Sequence, residues 1–152
     1  DYFFGRQNQN YGLINNLSLI LSENPYSYDH FSFQYNTPNL NYSYLITRLE
    51  DKISYDIRDE VVKNEWHKRY FSFHRLDIPI SNNLTVAFTE SILYGGKNQN
   101  FLPMYMNPLN IYFSSKMVER KGVEETKANV LMAFDILYKP NSNLVFFSQF
   151  FN

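Results

Sequence analysis

The feature that most constrains this chain is an apolar–polar alternation of period two that returns in segment after segment. Phe31, Phe33 and Tyr35 alternate with Ser32 and Gln34, and Tyr42, Tyr44 and Ile46 alternate with Asn41, Ser43 and Leu45. Leu84, Val86 and Phe88 alternate with Thr85, Ala87 and Thr89. Val130, Met132, Phe134, Ile136 and Tyr138 form the longest single face, opposite Asn129, Ala133 and Asp135. Successive side chains of a strand point to opposite faces, so the pattern builds strands with one apolar and one wet face. The last segment, Leu144 to Phe151, is apolar on both faces apart from Ser148 and Gln149. The rhythm gives seven or eight strands.

The connections sharpen this expectation. Asn36 to Asn39, Ile80 to Asn83 and Lys139 to Asn143 are short turns rich in Pro and Asn. Between them fall longer links: Ser22 to Asp29, the charged stretch from Asp51 to His67, and Gly95 to about Lys127. Short turns at one end and long loops at the other are the habit of transmembrane barrels. Within the last link, Asn107 is a good N-cap and Pro108 suits the first helical position, so a loop helix is expected over 108–120, with Gly122 near its C-cap. Such a helix would fold into the lumen or over its mouth. The Asp51–Lys68 stretch can hold a helical turn or two.

Composition agrees. The chain has 14 Phe and 13 Tyr against 5 Gly, yet its mean hydropathy is -0.42, as expected of a wall with one dry and one wet face. No apolar run approaches the roughly 18 residues of a membrane helix, which leaves strand spans open. With 14 Lys+Arg against 15 Asp+Glu the net charge is -1, so nothing favours a nucleic-acid partner. Cysteine is absent, which removes disulfides and thiolate chemistry and suits an oxidising envelope compartment. The chain begins at Asp1 without an initiator Met or signal peptide and stops inside an aromatic run, so both ends read as cut. The fold expected is all-β, an antiparallel transmembrane β-barrel, with 1–152 part of one barrel domain.

Few residues offer chemistry. Arg75, Asp77 and Glu90 are the expected structural charge network, pairing across neighbouring strands inside a lumen. Glu90 shares the parity of Phe88 and Ile92, so either a bulge lies nearby or that face looks into a lumen filled by the plug. Asp77 and Glu90 can meet across a hairpin, as glycoside hydrolysis requires of two acids, but no cleft is legible between them. His30, His67 and His74 lack metal-ligand spacing, and Ser72, His74 and Asp77 do not share one face. Gly95-Gly96-Lys97 lacks phosphate-loop spacing and reads as a turn or a close backbone approach. Tyr26, Tyr28, Tyr94, Tyr105 and Tyr112 fall near strand ends or in loops, where rings serve as an interfacial girdle or as stacking faces for sugars. No cofactor and no metal site are expected.

Six strings follow one another along the chain: Phe4 to Gly12 (FGRQNQNYG), Leu17 to Pro25 (LSLILSENP), Tyr70 to Ile78 (YFSFHRLDI), Thr89 to Gly96 (TESILYGG), Met104 to Phe113 (MYMNPLNIYF) and Asn129 to Tyr138 (NVLMAFDILY). Together they resemble the Wzi-type capsule-assembly family and related gliding-motility outer-membrane proteins of Bacteroidetes. Asn10-Tyr11-Gly12-Leu13 stands where the first pattern more usually has Trp-Gly-Pro-Gly. The resemblance implies a non-enzymatic barrel of the bacterial outer membrane that retains or organises capsular polysaccharide. Arg6, Asn10, Tyr94 and Tyr105 are then the expected polysaccharide contacts. The partners implied are outer-membrane lipid, capsular or surface polysaccharide and other envelope proteins. Two other functions fit the same residues: a gliding-motility or secretion accessory protein, and a soluble β-sandwich carbohydrate-binding module whose inner faces would close into one core.

Overall fold

The computed structural model describes residues 1–13, 27–58, 61–97, 99–119 and 127–152. Seven strands follow one another as an antiparallel meander: β1 (Tyr2–Gln7), β2 (Tyr28–Thr37), β3 (Leu40–Arg58), β4 (Val61–Ser81), β5 (Leu84–Gly96), β6 (Lys127–Asn141) and β7 (Leu144–Phe151). Each pairs with its neighbours in sequence, and the sheet is open, with β1 and β7 as its two edges. Every segment with period-two alternation is a strand.

The three short turns are two-residue connections at 38–39, 82–83 and 142–143. Their polar side chains satisfy local groups: Thr37 donates to the Leu40 carbonyl at 2.9 Å, and Asn141 accepts from the Asn143 amide at 3.0 Å. Pro79 and Pro140 lie inside strands but lack a ladder donor. The register slips beside each, between Pro79 and Ser81 and between Tyr138 and Asn141. The charged stretch from Asp51 to His67 corrects the sequence reading. It is neither loop nor helix but the extension of a long hairpin, pairing from Lys52–His67 to Arg58–Val61 beyond a bulge at Leu49/Lys52. A charged composition is compatible with strand and loop alike.

The register fixes two faces. One carries Phe33, Tyr44, His74, Glu90 and Met132 in a single cross-strand row, with Tyr35, Tyr42, Leu76, Phe88, Phe134 and Phe150 in the next. The other carries Ser32, Ser43, Arg75, Asp77, Thr89 and Asp135. Residues 8–13 cross this polar face, where Tyr11 packs on Phe73 with ring centroids 4.8 Å apart and joins Leu45 in a small buried cluster.

Between β5 and β6 the chain forms two short helices, α1 (Pro103–Met106) and α2 (Tyr112–Glu119). The single helix expected over 108–120 is therefore displaced. Asn107 and Pro108 make a turn instead: the Asn107 side chain accepts from the Leu109 amide at 3.0 Å, and its carbonyl accepts from the Asn110 amide at 3.1 Å. Proline fills its favoured early helical position in α1, at Pro103. Gly122 lies outside the described residues. The insertion lies on the apolar face of the sheet, where Tyr70, Ile92, Tyr94, Tyr105, Tyr112 and Ala128 form the main buried cluster.

Gly95 shows why that end of the sheet is tight. A Cβ there would lie 2.1 Å from the Lys68 carbonyl oxygen of β4, so the close backbone approach expected of the glycine pair is present. Gly95→Ala should cost about 1–3 kcal/mol through forced backbone movement, read as a lower urea midpoint with an unchanged slope. A midpoint equal to the wild type would show that the β4–β5 approach is looser than described.

Candidate functional site

Arg75, Asp77 and Glu90 were expected to form one network, and the structure divides them between the two faces. His74 and Arg75 are adjacent on β4 and must point oppositely. Glu90 is in register with His74, and Thr89 with Arg75. No bulge intervenes near Glu90, because the β4–β5 register is regular from Lys68 to Pro79. Its face is instead covered by the insertion.

On that covered face Glu90 is 1% exposed. Its Oε2 accepts from the Tyr112 amide at 3.0 Å and its Oε1 from the Phe113 amide at 2.8 Å. These are orphan donors at the start of α2, whose N-cap position falls on Ile111, a residue with no side-chain acceptor. The sheet therefore supplies the cap that the helix lacks, with a carboxylate at the positive end of the helix. His74 Nε2 lies 3.1 Å from Glu90 Oε2, and the imidazole stacks on Tyr112 with centroids 4.7 Å apart. The Tyr42 and Tyr44 hydroxyls donate to the Pro108 and Met106 carbonyls, binding the turn between the helices to β3. Tyr94 meets Tyr105 at 5.0 Å, and Tyr105 meets Tyr112 edge-on at 6.3 Å. Each such ring pair contributes about 0.5–1.5 kcal/mol beyond its burial.

These tyrosines correct a second expectation. Tyr94, Tyr105 and Tyr112 are 0–1% exposed, so they are neither girdle nor sugar platform but the glue beneath the insertion. Their place near a strand end or in a long link was legible; what covers them was not. Tyr26 lies outside the described residues. Arg6 is exposed and forms a two-pronged pair with Asp29, at 3.0 and 2.9 Å.

On the polar face Arg75 is the centre. Its Nε donates to Asp77 at 2.8 Å, and its Nη1 donates to Asp135 at 2.7 Å and to Thr89 at 3.0 Å. Arg75 is 2% and Asp135 0% exposed. Asp135 sits on β6, one strand beyond β5, in the row of Asp77 and Ala87. The small side chains of Ala87 and Thr89 let the guanidinium pass over β5. Sequence reasoning missed Asp135 as a partner, although an aspartate in mid-strand on the wet face was its signal. Charges this deep persist only when paired, and removing one partner of such a pair typically costs about 3–5 kcal/mol. Among the described residues, Arg75 Nη2 and Asp135 Oδ1 have no hydrogen-bond partner.

Arg75 and Asp77 also line a polar cleft of about 300 Å3. Asn10, Tyr11 and Gly12 form one side, and Gln34, Asn36, Asn41 and Ser43 complete the sheet side. Of the expected contact residues, Asn10 is therefore the one placed beside the charge network. Asp77 and Glu90, considered as a hydrolytic pair, stand on opposite faces and cannot flank one bond.

Replacing Glu90 tests the cap. Glu90→Ala should weaken folding by about 1–3 kcal/mol and speed hydrogen exchange at the Tyr112 and Phe113 amides, while Glu90→Gln, which keeps one acceptor, should lie between. Unchanged exchange at both amides would mean that the helix start is held by something else.

Comparison of the chain with protein-family models, with curated proteins and with solved structures returned no match.

Proposed function

We propose that this chain is a wall segment of a bacterial outer-membrane β-barrel that binds capsular or surface polysaccharide and does not cleave it. The observation that carries the reading is the sorting of the faces. Lipid demands an apolar outer surface and a wall with no unpaired backbone inside it, and a wet interior tolerates paired charges. The polar face here carries serine, threonine and the buried Arg75–Asp77–Asp135 group, and toward the β7 edge it also exposes Leu131 and Phe151. The opposite face leaves Tyr35, Phe88, Phe134, Tyr138, Phe146 and Phe150 each at least 42% exposed. A soluble sheet would bury such a row against a second layer. Among the described residues there is one sheet, and no second sheet covers these rings.

The insertion prolongs this surface. Its inner tyrosines are buried, while Met106, Leu109, Ile111, Phe113 and Met117 point away from the sheet and are exposed. Exposed apolar groups of this kind are stabilised by an apolar environment, and lipid would supply it for an insertion that rests on the outside of the wall. The polar face then becomes the lumenal side, and its amide-rich cleft is where glycan would be met. The two open edges, β1 and β7, would pair with further strands of the barrel.

The test is membrane extraction and heat modifiability of the full-length protein. A closed barrel should stay in the outer-membrane fraction and migrate faster unheated than boiled. Release as a soluble monomer with no mobility shift would overturn the reading.

A further inference from the structure

From the cleft on the polar face, and resting on the wall reading above, we infer a specificity: it binds an uncharged pyranose unit and discriminates against acidic sugars. The argument begins with charge. Arg75 and Asp77 both line the cleft and are bonded to each other at 2.8 Å. Any ligand that carries a carboxylate toward the guanidinium brings it against Asp77, with Asp135 held 2.7 Å from the same guanidinium. Two carboxylates against one guanidinium leave no surplus positive charge to attract an acid.

Hydroxyl groups bring no such charge, and each donates one hydrogen bond and accepts others. The cleft offers both partners. Gln34, Asn36 and Asn41 present amides that donate and accept, Ser43 adds a hydroxyl, and Asp77 adds acceptor oxygens. Arg75 lies 2% exposed beneath the cleft, with its Nε and Nη1 committed to Asp77, Thr89 and Asp135, so it presents no accessible cation to an incoming acid. The volume, about 300 Å3, is at the small end of ligand pockets and suits a mono- or disaccharide unit rather than a long chain segment.

The experiment uses the full-length protein in detergent on a microarray of neutral and uronic-acid-containing oligosaccharides. Wild type should retain neutral glycans and pass over the acidic ones. Gln34→Ala with Asn41→Ala should reduce retention by about tenfold or more, the equivalent of one or two lost hydrogen bonds. Asn129→Ala, at the far end of the same face, should leave it unchanged. Heat-modifiable mobility of each variant shows that it has folded. Preference for acidic glycans, no retained neutral glycan, or undiminished retention by the double variant would overturn the cleft. A wild type without the mobility shift would overturn the wall reading instead, and a loss of neutral-glycan retention in the double variant would still support the cleft.

Discussion

Adjacent residues of a strand point to opposite sides of a sheet, and in this chain that constraint separates two kinds of chemistry one residue apart. His74 joins Glu90 against the helical insertion, and Arg75 joins Asp77 and Asp135 on the other side. A register slip of one residue would exchange them, placing a guanidinium under the tyrosine cluster and an aromatic row on the wet face. The long β3–β4 pairing and the continuous β4–β5 and β5–β6 ladders hold that register. Everything else described, from the capped helix to the polar cleft, depends on it.

The two faces are stabilised differently. On the apolar side the insertion is held by interlocking rings and by a carboxylate that caps a helix from a neighbouring element, so helix and sheet stabilise each other. On the polar side one guanidinium bridges from β4 to β6 across the small residues of β5. Buried charge of this kind contributes less to net stability than to specificity, because any other arrangement leaves a charge unpaired. The remaining aromatic surface has no such partner within the described chain. In the proposed function, lipid completes it.

Much of the fold was legible because strand alternation is a local property. Val130 to Tyr138 reads as a face whether or not its neighbours are known, and the Pro/Asn turns mark the strand ends. The β3–β4 extension was not legible, because a charged composition is compatible with strand and loop alike. The helix start was missed for a different reason. Asn107-Pro108 is a sound local signal, but Glu90, far away in sequence, stabilises a start at Tyr112. The candidate site divided in the same way: Arg75 and Asp77 lie two residues apart and were legible as a pair, but Asp135 reaches them only through strand order. Tyr94 and Tyr105 looked available for sugars because nothing local says what lies above them.

The central claim is that the ring-bearing face meets lipid and the charged face meets water. These 152 residues contain no cysteine, so single cysteines introduced along β6, from Met132 to Tyr138, can carry spin labels in full-length protein reconstituted in vesicles, with any cysteine outside this stretch first replaced. Collision with dissolved oxygen and with a water-soluble nickel chelate would then be measured at each site. The account predicts a period of two, with oxygen favoured at 132, 134, 136 and 138 and disfavoured at 133, 135 and 137. Access of the nickel chelate to 134 and 136, or no alternation between the two sets, would contradict it.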